Sequence, residues 1–342
     1  AGYLRPIRGR ENLTVRTGAL VHGVLTSNRR AVGVTVEHHG DALRVEAERE
    51  VILCGGAVNS PQLLLLSGIG DAAQLRQHGI AIVADVPAVG QNLEDHLIVP
   101  IQYGAPRRVS PAGQYKGLGK YRVGLEWLLF KSGLGASTFC ETGCFFRSSE
   151  EVEYADLQHE FYTVIARIGD PKSAVGEGFM FSMGIMRPKS RGRVQLKSAD
   201  PRAHPSIIFN YLESPDDRRV MINGVRRTRE MAAQSAFDDV RTLEIAPGPD
   251  VQSDDEILAW LRAEGSTEFH VCSTCRMGTD DTSVTDGNGL VHEVEGLRVV
   301  DASIMPHNVT ANLNAPVIMM AEKLADAITG KPALPPADLS AL

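Results

Sequence analysis

Three segments of the chain combine reactive side chains with residues that let backbone approach a ligand. Residues 270–278 (HVCSTCRMG) carry His270. An imidazole with an ordinary pKa of about 6.5 can take a proton from an alcohol at neutral pH. His270 follows a charged helical stretch and leads into turn formers, as a histidine on a loop at a junction would, although a buried structural histidine reads the same way. Residues 299–326 (VVDASIMPHNVTANLNAPVIMMAEKLAD) set Asp301 at the end of a short apolar run and Asn312 and Asn314 ahead of a long apolar helix. An acid at a strand end can hold a ribose hydroxyl, and a helix N-terminus favours negative charge. Asp301 reads equally as a turn former and Asn314 as an N-cap. Residues 56–70 (GAVNSPQLLLLSGIG) read as a strand-to-helix turn, with glycines for close backbone approach and a Ser-Pro pair at the helix start.

Cys272 and Cys275 form a C-x-x-C pair. A zinc site would need a second pair at matching spacing, and a thioredoxin-like motif would need a strand before the pair and a helix opening on it. Neither is present, so buried reduced thiols and no metal are expected.

The elements that must position these residues follow from periodicity. Residues 13–17 (LTVRT) alternate like a strand, and residues 31–37 and 43–47 flank the turn signal His39-Gly40-Asp41 as a hairpin. Residues 51–54 (VILC) read as a buried parallel strand, with a helix opening at Ser60-Pro61 and running through 62–67. A second helix is expected over 71–78. In the middle of the chain, 117–131 reads as partly helical, and strands are expected at 157–165, 178–186 and 192–196. Long helices are expected at 216–233, at 254–262 with Ser253 as cap, and at 314–328, with a buried strand at 297–300. The order is an α/β unit, an α+β unit and a return to α/β, as for one domain interrupted by another. No G-x-G-x-x-G follows a strand, so the chain reads as part of a dinucleotide-binding architecture without its phosphate loop.

The three segments, with residues 86–96 (VPAVGQNLEDH), resemble the signature blocks of the glucose–methanol–choline oxidoreductases, in family order over nearly the whole chain. HVCSTCRMG is similar to the family's H-P-x-G-T-C-x-M-G, with Val271 at the proline and Ser273 at the glycine. The resemblance implies α/β plus α+β structure, namely an incomplete FAD-binding α/β domain with an inserted antiparallel-sheet-and-helix substrate domain. It divides the chain into 1–98 (FAD-binding, part), 99–245 (substrate-binding) and 246–342 (FAD-binding return). It implies FAD as cofactor and His270 and Asn312 as catalytic residues. Val21, Asp301, Ala302, Asn314 and Pro316 are implied as cofactor-binding. Residues 132–137, 187–212, 246–257, 275–281 and 296–306 resemble the choline dehydrogenase branch. Oxidation of choline to betaine aldehyde is therefore implied, with a neutral primary alcohol as the alternative and an inactive fragment or subunit as a reading outside the enzyme class. Glu141, in CETGCFF, matches an element whose glutamate lies near the trimethylammonium group in choline-oxidising relatives, and it also reads as a structural partner of Arg147. A quaternary ammonium has no N–H, so a carboxylate and aromatic faces suit it. Phe139, Phe145, Phe146, Phe161 and Tyr162 are the candidate faces. Glu160 stands where relatives often have histidine, with His159 displaced by one. The partners implied are an alcohol, a quinone-like or dye-like electron acceptor, and an N-terminal portion of the same enzyme bearing the phosphate loop. Without that portion, weak FAD binding and an exposed sheet edge are expected.

A net charge of -7 with scattered basic residues argues against a nucleic-acid binder. No apolar run reaches the roughly 18 residues of a membrane helix. A cytoplasmic protein, or one peripheral at the inner membrane, is expected. The 342 residues, 43% of them hydrophobic, suffice for more than one core.

Overall fold

The structure, a computed structural model, describes residues 2–106, 109–138, 140–166, 176–332, 334–335 and 337. A short helix α1 (Leu4–Ile7) precedes an antiparallel meander of β1 (Ala19–Ser27), β2 (Arg30–His38) and β3 (Asp41–Glu46). The expected hairpin is β2–β3. His39 and Gly40 both take positive φ (54° and 90°), the backbone of a tight primed turn. Residues 13–17 form no strand. Their alternation has no neighbouring edge or core to meet, and Val15 is exposed.

Next come β4 (Val51–Leu53) and α2 (Gly56–Leu66). The helix starts at Gly56, four residues before the expected Ser60. Pro61 therefore lies inside it, where it cannot donate to the carbonyl of Ala57. The Thr274 hydroxyl donates to that carbonyl instead, at 2.7 Å. Ser60 is not a cap: its hydroxyl donates to Asp301 Oδ2 at 2.6 Å. Strand β5 (Ile69–Gly70) pairs in parallel with β6 (Ala84–Asp85). Between them runs α3 (Ala72–Gln77), capped by Asp71, whose side chain accepts from the amide of Gln74.

The rest of the chain builds a larger antiparallel sheet and its cover. In order come β7 (Leu97–Gly104), α4 (Gly119–Phe130), β8 (Cys140–Phe146), β9 (Leu157–Tyr162), β10 (Gly178–Ile185), β11 (Arg193–Gln195) and β12 (Ser206–Ile208). Then follow α5 (Pro215–Ala232), β13 (Glu244–Ala246), α6 (Asp254–Glu264), β14 (Ser266–Thr267), β15 (Leu297–Val299) and α7 (Asn314–Ile328). The sheet order is β13-β7-β10-β9-β8, with β14 also on β7. Strand β15 returns to lie parallel to β4.

Two main cores result. One gathers α2, β4, β15 and Leu324 of α7. The other packs alternate residues of β7, β9 and β10, such as Val99, Leu157, Phe181 and Met183, against Met221 and Val225 of α5 and Ile257 and Leu261 of α6. Because strand side chains alternate, Ile98, Gln158, Glu160, Ser182 and Gly184 fall on the opposite face. Strand β10 is buried along its whole length, so that face is covered too. No described helix is long and apolar enough to cross a membrane.

Candidate active site

His270 follows β14, and its backbone is held at both ends. Its amide donates to Asp95 Oδ1 at 2.9 Å, and its carbonyl accepts from Asn308 Nδ2 at 3.2 Å. Asp95, 3% exposed, also accepts from the Tyr211 hydroxyl. Its pKa is raised by burial, an effect that hydrogen bonds from Thr267 and Tyr211 partly offset. The loop is pinned further by paired backbone bonds between Cys272 and Glu94. Ser273 takes φ 70°, a left-handed conformation that glycine adopts at least cost, at the position where the motif ordinarily has glycine.

The His270 ring meets His96. The two Nδ1 atoms are 3.0 Å apart with the rings nearly perpendicular. Glu268 Oε2 lies 3.5 Å from His270 Nδ1 and 3.6 Å from His96 Nδ1. Burial, reinforced by the neighbouring His270, lowers the His96 pKa to about 4, so that ring is neutral at physiological pH. Burial pushes the Glu268 carboxyl upward, against the opposing influence of the nearby His270. Among the described residues these three also form a group of ligand atoms close enough to hold a cation.

Asn312 reaches the same end of the sheet from the turn before α7. Its Oδ1 accepts from Gln158 Nε2 at 3.4 Å. Gln158 stands opposite Gly184, which in turn stands opposite Ile98 on β7. A Cβ built on Gly184 would lie 3.2 Å from Glu268 Oε2. The amide pair and the imidazole pair therefore flank one strand at one residue. Buried polar atoms without a partner mark this region: His96 Nε2, Gln158 Oε1, Ser182 Oγ and Glu268 Oε2.

The implied cofactor residues fall into two groups. Val21 lines a cavity of about 860 Å³ that runs beside β4, Gly55 and Ser60. Asp301 lies at the same helix start, but its carboxylate is already committed. Oδ2 accepts from the Gly56 amide and the Ser60 hydroxyl, and Oδ1 from the Ser303 amide. The Asp301 carboxylate thus fixes the start of α2, as its reading as a turn former allowed. Ala302 accepts from the Ser273 amide, joining this corner to the histidine loop. Asn314 and Pro316 begin α7, whose N-cap is Leu313 and whose first turn has no side-chain cap. Asn314 is thus the first helical residue, not the cap. Its neighbour Val317 packs against Cys272, Met305 and Leu313.

The aromatic set divides by face. Phe146 and Phe161 pack into the core around Phe181, not toward the site. Tyr162 lies on the other face and donates to Glu160 at 2.9 Å, and Phe145 is half exposed. His159 points into the core and bonds Thr228 at 2.8 Å. Glu141 lies on β8, but its side chain and Phe139 are outside the described residues. The described partners of Arg147 are Glu150 and the carbonyl of Val152. Cys272 and Cys275 are buried free thiols, and burial raises the Cys272 pKa to about 12. Sequence reasoning gave no role to Asp95, His96, Gln158 or Glu268. The first two stood in a recognised block, whereas nothing in the sequence marks the other two.

Two family models, both described as GMC oxidoreductase, match residues 1–98 and 188–321. The chain belongs to the GMC oxidoreductase family. It is 47% identical over 336 residues to the oxygen-dependent choline dehydrogenase of Pseudomonas aeruginosa (strain LESB58), covering 98% of this chain and 60% of that protein. The corresponding protein of Chromohalobacter salexigens is 44% identical over 338 residues, covering 99% and 61%. Among solved structures, formate oxidase superposes with TM-score 0.88 at 27% identity over 94% of this chain and 62% of that one. Pyridoxine 4-oxidase from Mesorbium loti gives 0.83 at 27% identity over 96% and 60%. This GMC chain thus spans about three fifths of the length of the relatives it matches.

Proposed function

We propose that this chain is the larger part of an FAD-dependent alcohol dehydrogenase whose substrate is choline, oxidised to betaine aldehyde. The observation that supports this reading is the pair of links that lead away from Gly184, one through Glu268 to His270 and one through the paired Gln158 to Asn312. The likeness to choline dehydrogenases over nearly the whole chain supports the substrate and favours an enzyme over an inactive fragment. Residues 1–98, 99–245 and 246–342 are taken as the cofactor part, the substrate part and the cofactor return.

The residues present fit a flavin dinucleotide. The cavity beside Val21, about 860 Å³, is lined in part by Gly55 and Ser60 at the start of α2, and the first turn of α7 has no side-chain cap. Val21, Ala302, Asn314 and Pro316 would hold the cofactor, with Asp301 keeping the α2 start in place. When bound, FAD supplies the hydride acceptor.

The protein's own part is to orient and deprotonate the alcohol. Gln158 donates to Asn312 Oδ1, which fixes the amide and leaves the Asn312 NH₂ to donate to the substrate oxygen. His270 takes the hydroxyl proton as the carbon gives up its hydride. Glu141 on β8 is assigned to the cationic head.

The test is a dye-linked assay of the complete flavoprotein with choline and a panel of neutral alcohols. Choline is expected to be preferred, and His270→Ala to lower turnover by roughly 10²-fold or more. An unchanged rate of flavin reduction in that variant would remove His270 from the reaction.

A further inference from the structure

The contact between His96 and His270 raises a question of proton bookkeeping that the proposed reaction leaves open. Two imidazole nitrogens 3.0 Å apart share one hydrogen. If His96 donates it, the His270 proton sits on Nε2, and His270 cannot act as a base there. If His270 donates it, Nε2 of His270 is bare. We propose that Glu268, with His96, is a positioning residue that keeps the shared hydrogen on His270 Nδ1 and so leaves Nε2 free to receive a proton. This inference rests on the reading of His270 as the proton acceptor.

Three observations favour that arrangement. First, the Glu268 carboxylate, with its side chain 8% exposed, lies 3.5 Å from His270 Nδ1 and 3.6 Å from His96 Nδ1, so it sits beside the shared hydrogen, and its charge favours the ring that can become cationic, which is His270 because His96 stays neutral. No cationic side chain is among its described ion-pair partners apart from these two rings, and its Oε2 makes no hydrogen bond. Second, His96 is wholly buried and neutral, so its Nδ1 can serve as an acceptor. The backbone at Val309 and Met186 also bears on the His96 ring. Third, the room for Glu268 depends on Gly184, since a Cβ there would lie 3.2 Å from Oε2.

The step balances. The alcohol O–H breaks, an N–H forms at His270 Nε2, and the resulting imidazolium donates through Nδ1 to His96 beside the Glu268 carboxylate. Asp95 and Asn308 hold the His270 backbone throughout.

The experiment is long-range ¹H–¹⁵N spectroscopy of the ring nitrogens in the histidine-labelled chain at neutral pH, which needs neither flavin nor turnover. The His270 Nδ1–H form is expected to exceed the Nε2–H form by at least about tenfold, and Glu268→Gln, which keeps the shape and removes the charge, to erase that preference. Amide dispersion like that of the unchanged chain shows that the variant is folded, and His96→Asn, which retains an acceptor near Nδ1, provides a second variant expected to keep the preference. A proton on His270 Nε2 in the unchanged chain overturns the proposal, as does a Glu268→Gln spectrum with the same tautomer. If both Nδ1 atoms are bare and shift on addition of zinc chloride, the trio is a cation site and the proposal fails. Failure of the alcohol assay with the expected tautomer present would count against the proposed reaction and not against this arrangement.

Discussion

Asp301 ties distant parts of the chain together, because three groups donate to one carboxylate at the start of α2. Asp301→Ala leaves the Gly56 amide, the Ser60 hydroxyl and the Ser303 amide without their acceptor. The expected loss is about 2–3 kcal/mol of stability, read as a lower urea midpoint with an unchanged slope. Gly184→Ala acts at the opposite wall. Its methyl would meet Ile98 Cγ2 at 3.0 Å, Met186 Cε at 3.1 Å and Glu268 Oε2 at 3.2 Å. Turnover in the complete enzyme is expected to fall at least about tenfold while the chain stays folded, because a displaced Glu268 disturbs the ring pair. Normal turnover in a folded Gly184→Ala enzyme would contradict that link.

The elements show where a sequence speaks clearly. The span of α7 was readable because an apolar stretch and the residues around it agree. Helix α6 announced itself through Ser253, whose side chain accepts from the Glu256 amide while Glu256 bonds back to Ser253. Ser253→Ala is expected to lower stability by about 1 kcal/mol in urea titration, and Glu256→Gln by less. Helix α2 was misread because Ser-Pro is a common helix opening, whereas its real start depends on Asp301 and Thr274, both more than 200 residues away. Residues 13–17 were misread for the converse reason: local alternation looked like a strand, but a strand needs a neighbouring edge. The histidine and asparagine of the site were visible through motif resemblance. Gln158 and Glu268 were not, because only the register of β7, β10 and β9 brings them to Gly184.

For the molecule as a whole, burial of neutral histidines ties stability to pH. His159 has its pKa lowered to about 4 by burial against Phe146, Phe181 and Thr228. The unfolded chain takes up a proton near pH 6.5 that the native core refuses. This group's stabilising contribution is therefore complete above pH 6.5 and is lost progressively as pH falls toward 4. The full loss is about 3 kcal/mol at 1.36 kcal/mol per pKa unit. Urea titrations at pH 7 and 4.5 should show this decline, and His159→Gln should flatten it. An equal pH slope in the variant would place the proton uptake elsewhere. The two-stranded sheet of β4 and β15 carries a consequence for its surroundings as well. Strand β4 has β15 as its described partner on one side, and Ile52 at its centre is 40% exposed. Such an edge is a template for another strand, so the chain by itself is expected to self-associate more than a longer polypeptide that covers it.

The hydroxyl of Thr274 acts as a rivet. It fastens the carbonyl that Pro61 leaves open to the loop four residues after His270. The start of α2 and the loop of His270 are therefore fastened together, and whatever stiffens the wall beside Val21 also steadies the His270 ring. In Thr274→Val that fastening is gone while the shape remains, and hydrogen exchange at the Cys275 and Met277 amides should then quicken even though their own bonds to Ser303 and Ile304 are intact.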